Sequence, residues 1–201
     1  QVDLVIIASL NAGLRDLFEP KYGIKRSFLS MVRDMSYYDG RFIRNVILLK
    51  HSGGEILEEM TVVFDMIDDV AVSLLYSDTS RPITCKNNLQ LILDHVTTMK
   101  LPRKSIVLNI QADSPNEFKD GVFEHFVLNR FVFNLITYGD QTCPSDGYSS
   151  AKRLVSMTSG FYSDVSTWSF LVLEAIPMLF KSVAVGRDHY ENDQFMSGGP
   201  I

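Results

Sequence analysis

The stretch Val2–Leu10, with the sequence VDLVIIASL, is apolar almost throughout and leads into the turn signal Asn11-Ala12-Gly13. A strand that is apolar on both sides needs cover on both faces, as parallel strands between two layers of helices have. Four further runs share this character and contain no proline: Phe42–Lys50, Val70–Tyr76, Ile106–Ala112 and Phe131–Tyr138. The five runs predict an α/β domain with a mostly parallel sheet of five to six strands and helices on both faces.

Segments of helical periodicity separate these runs. The clearest apolar stripe predicts a helix between the second and third strands, with its members at positions 56, 57, 60, 63, 64 and 67. Similar patterns predict helices near residues 28–35, 89–99, 115–128 and 164–180, and a final strand over residues 182–185. We therefore expect one Rossmann-like α/β domain or lobe over residues 1–185, followed by a polar tail over residues 186–201.

Composition excludes several classes of protein. The 201 residues carry a net charge of −5, whereas a nucleic-acid-binding surface needs clustered Lys and Arg. No stretch approaches the roughly 20 apolar residues of a membrane-spanning helix. The sequence therefore predicts neither a nucleic-acid partner nor a membrane span in this chain.

Cysteine and histidine usage offers little chemistry. Cys85 and Cys143 are too few for a disulfide framework or a zinc site. Each follows a predicted strand by several residues, so a single bridge between them and two buried free thiols are both open. The four histidines lack the spacing of a metal-binding pair, and no metal site is expected.

The loops after the predicted strands are the expected position of a binding site. Right-handed crossovers bring the carboxyl ends of parallel strands to one edge of a sheet, where α/β proteins bind their ligands. The candidate ligand-binding residues there are His51, Ser52, Gly53, Gly54, Asp78, Thr79, Ser80, Asp113, Ser114 and Asp140.

Each of these candidates also has a structural interpretation. The segment His51–Gly54 fits an anion-binding loop before a helix, and it equally fits a tight turn that needs glycine. Asp78 is either an acid that holds a ribose hydroxyl or a turn residue. Asp113 and Asp140 are either a pair for acid–base work or solvated loop acids. No known catalytic motif occupies these loops, so no catalytic residue is predicted.

Several segments, taken in order, are similar to a known family. They are Lys25–Phe28, Arg44–Leu49, Arg103–Leu108, the Ser-Pro-x-x-Phe helix start at Ser114–Phe118, Phe131–Ile136 with the following Gly139-Asp140, and Phe161–Asp164. Together they resemble the type I periplasmic-binding-protein-like extracellular domain of receptor guanylyl cyclases and natriuretic peptide receptors. This resemblance implies a cleft for a ligand, a homodimer and a disulfide between Cys85 and Cys143.

Three functions follow from these observations. The leading hypothesis is a non-catalytic ligand-sensing domain of a membrane receptor, extracellular or secreted, that binds a peptide or small molecule without a cofactor. The first alternative is a Rossmann-like transferase, with a cytoplasmic location open, that uses S-adenosylmethionine or a nucleotide at His51–Gly54 and Asp78. The second alternative is a structural or interaction module without a small ligand.

Overall fold

A computed structural model describes residues 1–10, 43–78, 80, 89–112, 117–138, 150–160 and 162–164. Six strands form one sheet: β1 (Val2–Ser9), β2 (Ile43–Ser52), β3 (Glu55–Val63), β4 (Ile106–Ala112), β5 (Val132–Tyr138) and β6 (Tyr162–Asp164). Their order across the sheet is β3-β2-β1-β4-β5-β6. All neighbouring pairs are parallel except β2 and β3, which are antiparallel. The predicted α/β class with a mostly parallel sheet is confirmed.

Helices flank this sheet. They are α1 (Ile67–Leu75), which follows a 3-10 turn at Phe64–Met66, α2 (Leu89–Thr98), α3 (Asp120–Asn129) and α4 (Ser150–Met157). The predicted helices near residues 28–35 and 164–180, the strand over residues 182–185 and the tail over residues 186–201 lie outside the described residues, apart from Asp164, which ends β6. Cys85 and Cys143 lie outside them as well.

The predicted helix over residues 56–67 is wrong, because most of this segment forms β3. Gly53 and Gly54 both have positive φ values, 59° and 100°, and close a tight hairpin between β2 and β3. The register shifts next to Lys50, so that Glu58 pairs with Lys50 but Ile56 pairs with His51. Leu57 is therefore an extra residue, which interrupts the alternation typical of a strand and produces the misleading helical spacing.

The predicted strand Val70–Tyr76 is wrong for a related reason. The segment belongs to α1, where Ile67, Val70 and Leu74 are buried at helical spacing while Val72 is 48% exposed. A short apolar run does not distinguish a buried strand from a buried helix by its periodicity. The burial pattern of the folded chain supplies that distinction.

A hydrophobic core cluster lies on the face of the sheet that α2, α3 and α4 cover. Val5, Ile7 and Val107 contribute to it from the central strands. The ring of Phe126 in α3 packs edge-on against Phe131 and Phe133, with ring centroids 5.5 and 5.9 Å apart. Such aromatic pairs add stability beyond the area that they bury.

The opposite face carries α1 over β2 and β3. Lys50 of β2 is 3% exposed. Its Nζ donates to the carboxylate of Glu58 at 2.9 Å and to the carbonyl oxygen of Ser73 in α1 at 3.1 Å. One buried cation thus links the hairpin to the helix, and its charge is balanced by a neighbouring acid, as a buried charge requires.

Gly160 offers a test of the packing beside β5. A Cβ added there would lie 1.7 Å from the carbonyl oxygen of Phe133, a backbone atom that cannot move aside cheaply. We expect Gly160→Ala to lower the free energy of unfolding by about 1–3 kcal/mol or more, as overpacking does. Urea unfolding measures this change.

The matched control is Gly121→Ala in α3, where a Cβ meets nothing within 4 Å. Removing a helical glycine raises stability by roughly 0.5 kcal/mol. Equal effects of the two substitutions would contradict the close approach at Gly160.

Candidate functional site

A row of polar side chains crosses the sheet just below the carboxyl ends of its parallel strands. The residues of this polar row are Ser9 (β1), His51 (β2), Gln111 (β4) and Thr137 (β5). Ser9 pairs with His51, Gln111 pairs with Thr137, and the preceding residues Ala8 and Ile110 pair across β1 and β4. None of the four is more than 6% exposed. Side chains two residues apart on a strand point to the same face of the sheet. The members in β1, β2 and β5 each lie two residues beyond a core residue of their own strand, and the member in β4 lies two residues beyond Asn109. The row therefore lies on the face covered by α2 to α4.

His51 is a neutral donor in this row. Its Nδ1 accepts a hydrogen bond from the backbone N–H of Gly54 at 3.3 Å, so the ring proton lies on Nε2. Nε2 is buried and has no hydrogen-bond partner. Burial lowers the pKa of His51 to about 4, because the charged ring would be desolvated.

Asn109 lies two residues before Gln111 in β4 and fixes the Gln111 side chain by a hydrogen bond. Its Nδ2 donates to Oε1 of Gln111 at 2.7 Å, whereas its Oδ1 is buried without a partner. At the far end of the row, Oγ1 of Thr137 lies 3.4 Å from the hydroxyl of Tyr162 in β6. A donor at His51 and an acceptor at Asn109 are thus unsatisfied, each at a cost of about 1–3 kcal/mol.

The amino edge of the same sheet shows the opposite behaviour. Both carboxylate oxygens of the buried Asp3 accept from Arg44, at 3.2 and 3.1 Å, and Asn45 donates to the first of them. The backbone N–H of Asp3 donates to Ser105 at 3.2 Å. Hydrogen bonding to Asp3 raises the pKa of Arg44. Among the described residues, the buried side-chain N and O atoms without a partner are His51 Nε2 and Asn109 Oδ1, and both belong to the carboxyl half of the sheet.

The structure places the predicted site residues unequally. His51 to Gly54 lie at the carboxyl edge, where the backbone N–H of Leu10 donates to the carbonyl of His51 at 2.8 Å. They lead into β3 rather than into a helix, so the helix N-terminus expected after them is not present and the tight-turn alternative describes their local structure. Their role as ligand-binding residues stays a prediction. Thr79, Asp113, Ser114 and Asp140 lie outside the described residues.

Asp78 follows α1 and not a strand, which removes the reason for assigning it to a ribose hydroxyl. Its side chain is exposed, and its Oδ1 accepts from the backbone N–H of Ser80 at 3.0 Å. This bond is the local turn that Asp residues commonly make with the backbone two positions on. With Gly53 and Gly54 in a hairpin, neither half of the predicted transferase loop has the required local structure.

The sequence analysis missed four polar residues of the site: Ser9, Asn109, Gln111 and Thr137. A signal for two of them was present, because Asn109 and Gln111 alternate with apolar residues near the end of an otherwise apolar strand. Polar side chains at successive same-face positions of a buried strand indicate a polar site under its carboxyl end.

No model of a known protein family matches the sequence, and no curated protein matches it significantly. Solved structures do share its fold. The conserved hypothetical protein BatB from Bacteroides thetaiotaomicron is 13% identical, with a TM-score of 0.53 over 92% of this chain and 99% of that one. A von Willebrand factor type A structure from Catenulispora acidiphila is 8% identical, with a TM-score of 0.53 over 90% of this chain and 42% of that one.

A third similar structure is proximal thread matrix protein 1 from the mussel byssus, solved with a zinc-occupied MIDAS motif. It is 9% identical, with a TM-score of 0.52 over 91% of this chain and 47% of that one. This chain therefore spans less than half the length of two of the three proteins. The likeness shows that the chain shares the α/β fold of von Willebrand factor type A domains.

This finding corrects the resemblance to receptor guanylyl cyclases. The similar structures are von Willebrand factor type A-like and BatB proteins, not periplasmic-binding-protein-like receptor domains. Both kinds of protein alternate apolar strands with helices in layers around a mostly parallel sheet. The segments that suggested the resemblance reflect this shared α/β periodicity.

The zinc in the mussel protein raises the question of a metal here. Among the described residues, no three His, Cys, Asp or Glu side chains come together as a metal site requires. The polar row supplies one neutral imidazole and three uncharged oxygen-bearing side chains, without a carboxylate to balance a divalent cation. The described part of the edge does not fit a metal ion. Within the same residues, no helix is long and apolar enough to cross a membrane.

Burial of His51 predicts how stability depends on pH. The unfolded chain protonates this ring near its ordinary value of 6.5, whereas the folded chain does so only near 4. Between these values the unfolded state binds the additional proton, so the free energy of unfolding falls as pH falls from 6.5 to 4, by roughly 3 kcal/mol in all.

Urea unfolding between pH 7.5 and 4 measures this dependence in the wild type, in His51→Gln and in His95→Gln. His95 is partly exposed, with its Nε2 2.9 Å from Glu59. We expect His51→Gln to flatten the pH dependence and His95→Gln to retain it. An unchanged slope in His51→Gln would show that the buried ring is not its source.

Proposed function

We propose that this chain is a non-catalytic interaction module that binds a protein partner at the carboxyl edge of its sheet. The observation that supports this most directly is the pair of buried, unpartnered atoms in and beside the polar row, Nε2 of His51 and Oδ1 of Asn109. Natural proteins keep few such atoms, and those that remain are typical of functional sites. At the amino edge, by contrast, the buried carboxylate of Asp3 has hydrogen-bond partners on both oxygens and does not lower the stability in this way.

The surface proposed for the partner consists of the hairpin and the loops beyond the strand ends. It includes Ser52 and Gly53 from the hairpin, whose turn the buried Gly54 completes, and Asp78 and Ser80 after α1. The sequence adds four predicted binding residues that lie outside the described part of the chain: Thr79, Asp113, Ser114 and Asp140. Loops held at the end of a rigid sheet are common positions for binding residues.

Two solved structures with this fold are consistent with such a role. The mussel protein is described as a thread matrix protein, and a pilus adhesin from Lactobacillus rhamnosus GG also shares the fold. At identities near 10% these proteins supply a precedent for the fold and not an assignment. The predicted homodimer and extracellular location stay predictions, and analytical ultracentrifugation of the purified chain tests the first.

Site-specific photo-crosslinking tests the proposed surface. The photoreactive amino acid p-benzoylphenylalanine replaces Ser52 at the carboxyl edge in one sample and the exposed Lys100, just before β4 at the opposite edge, in the other. After irradiation in extract of the source cells, we expect a discrete adduct from position 52 and none from position 100. Mass spectrometry then identifies the partner.

The purified partner allows a quantitative check. We expect Ser52→Arg to weaken its binding at least tenfold, because a bulky charge would occupy the contact surface. Lys100→Glu should leave the affinity unchanged. Equal loss in both variants, or adducts from position 100 alone, would place the contact elsewhere and overturn the proposal.

A further inference from the structure

The outer edge of β3 is a long, exposed strand edge with a single sign of charge. β3 contains nine residues and stands at the end of the strand order, with no further strand beyond it in the described sheet. Its side chains are largely exposed, including Leu57 at 40% and Val63 at 53%. A strand edge of this kind presents backbone N–H and C=O groups to another extended segment.

The charged side chains of β3 are all acidic. The strand carries Glu55, Glu58 and Glu59 and no Lys or Arg, and Asp65, Asp68 and Asp69 follow it in the 3-10 turn and in α1. Glu58 is paired with Lys50 and Glu59 with His95. The other four acids are exposed and make no ion pair in the part of the chain that the structure describes. Within β3 itself, Glu55 is the acid that makes no ion pair among the described residues, and no basic side chain of the strand offsets it.

These two features select the kind of partner. A second copy of the same edge would bring like charges together, which disfavours self-pairing. An extended segment with alternating basic residues would gain backbone hydrogen bonds and charge complementarity at once. Exposed Leu57 and Val63 offer apolar contacts to the residues between those basic side chains.

We propose that β3 binds a basic, extended peptide segment as an additional strand of the sheet. The binding surface is the edge of β3 (Glu55–Val63) that faces away from β2. It is separate from the polar row and from the loops of the carboxyl edge. The inference therefore does not depend on the function proposed above.

A synthetic peptide tests this directly. The probe has nine residues, matching β3, with Lys alternating with Val and a fluorophore at one end. We expect saturable binding by fluorescence anisotropy that weakens with added salt. Hydrogen exchange should show slower exchange of β3 amides when the probe is bound, since pairing protects the edge N–H groups.

Two control peptides separate strand addition from simple charge attraction. A version with Glu for Lys should not bind. A version with a central proline retains most of the charge but breaks the extended pairing, and it should bind at least tenfold more weakly. Equal binding of the proline peptide, or binding without protection of β3, overturns the proposal.

Variants of the protein complete the test. Glu55→Lys reverses the charge of the β3 acid that makes no ion pair among the described residues, and it should reduce binding of the Lys peptide several-fold. The neutral Glu55→Gln should give a smaller loss. No binding by the wild type, or concentration-dependent self-association through β3 in its place, contradicts the inference.

Discussion

The burial of β1 on both faces is the constraint on which the rest of this structure depends. All eight residues from Val2 to Ser9 are buried, including the polar Asp3 and Ser9. Such a strand must have a neighbour on each side and cover above and below, which the parallel strands β2 and β4 and the flanking layers provide. The polar residues at its two ends then decide what each edge of the sheet can do.

At one end of β1 the polar groups serve stability, and at the other they cost it. Asp3 is held by Arg44 and Asn45, whereas Ser9 belongs to a row in which His51 keeps an unpartnered donor. A protein selected for stability alone would replace such a donor with an apolar side chain of similar size. Retaining it under the loop-bearing edge is the pattern expected where stability is given up for binding.

The sequence was sufficient for strands that are apolar on both faces and insufficient for the half-exposed edge. β1, β4 and β5 were predicted nearly to their bounds from their continuous apolar runs. β3 was predicted as a helix, because the bulge at Leu57 gives it the spacing of one. α1 was predicted as a strand, because the apolar run at Val70, although as long as β4, has no periodicity that separates the two structures. The polar row could not be predicted from the sequence, because it depends on the register of four strands that are distant in sequence.

The hairpin of β2 and β3 has a consequence for the order of folding. It closes through two glycines, whereas Asp3 meets Arg44 and Ser105 only across separations of 41 and 102 residues. During synthesis β1 leaves the ribosome before the other five strands, yet its second neighbour in the sheet, β4, is made about a hundred residues later. Until then one edge of a strand that is buried on both faces in the folded chain stays unpaired, and unpaired strand edges of this kind favour aggregation during folding.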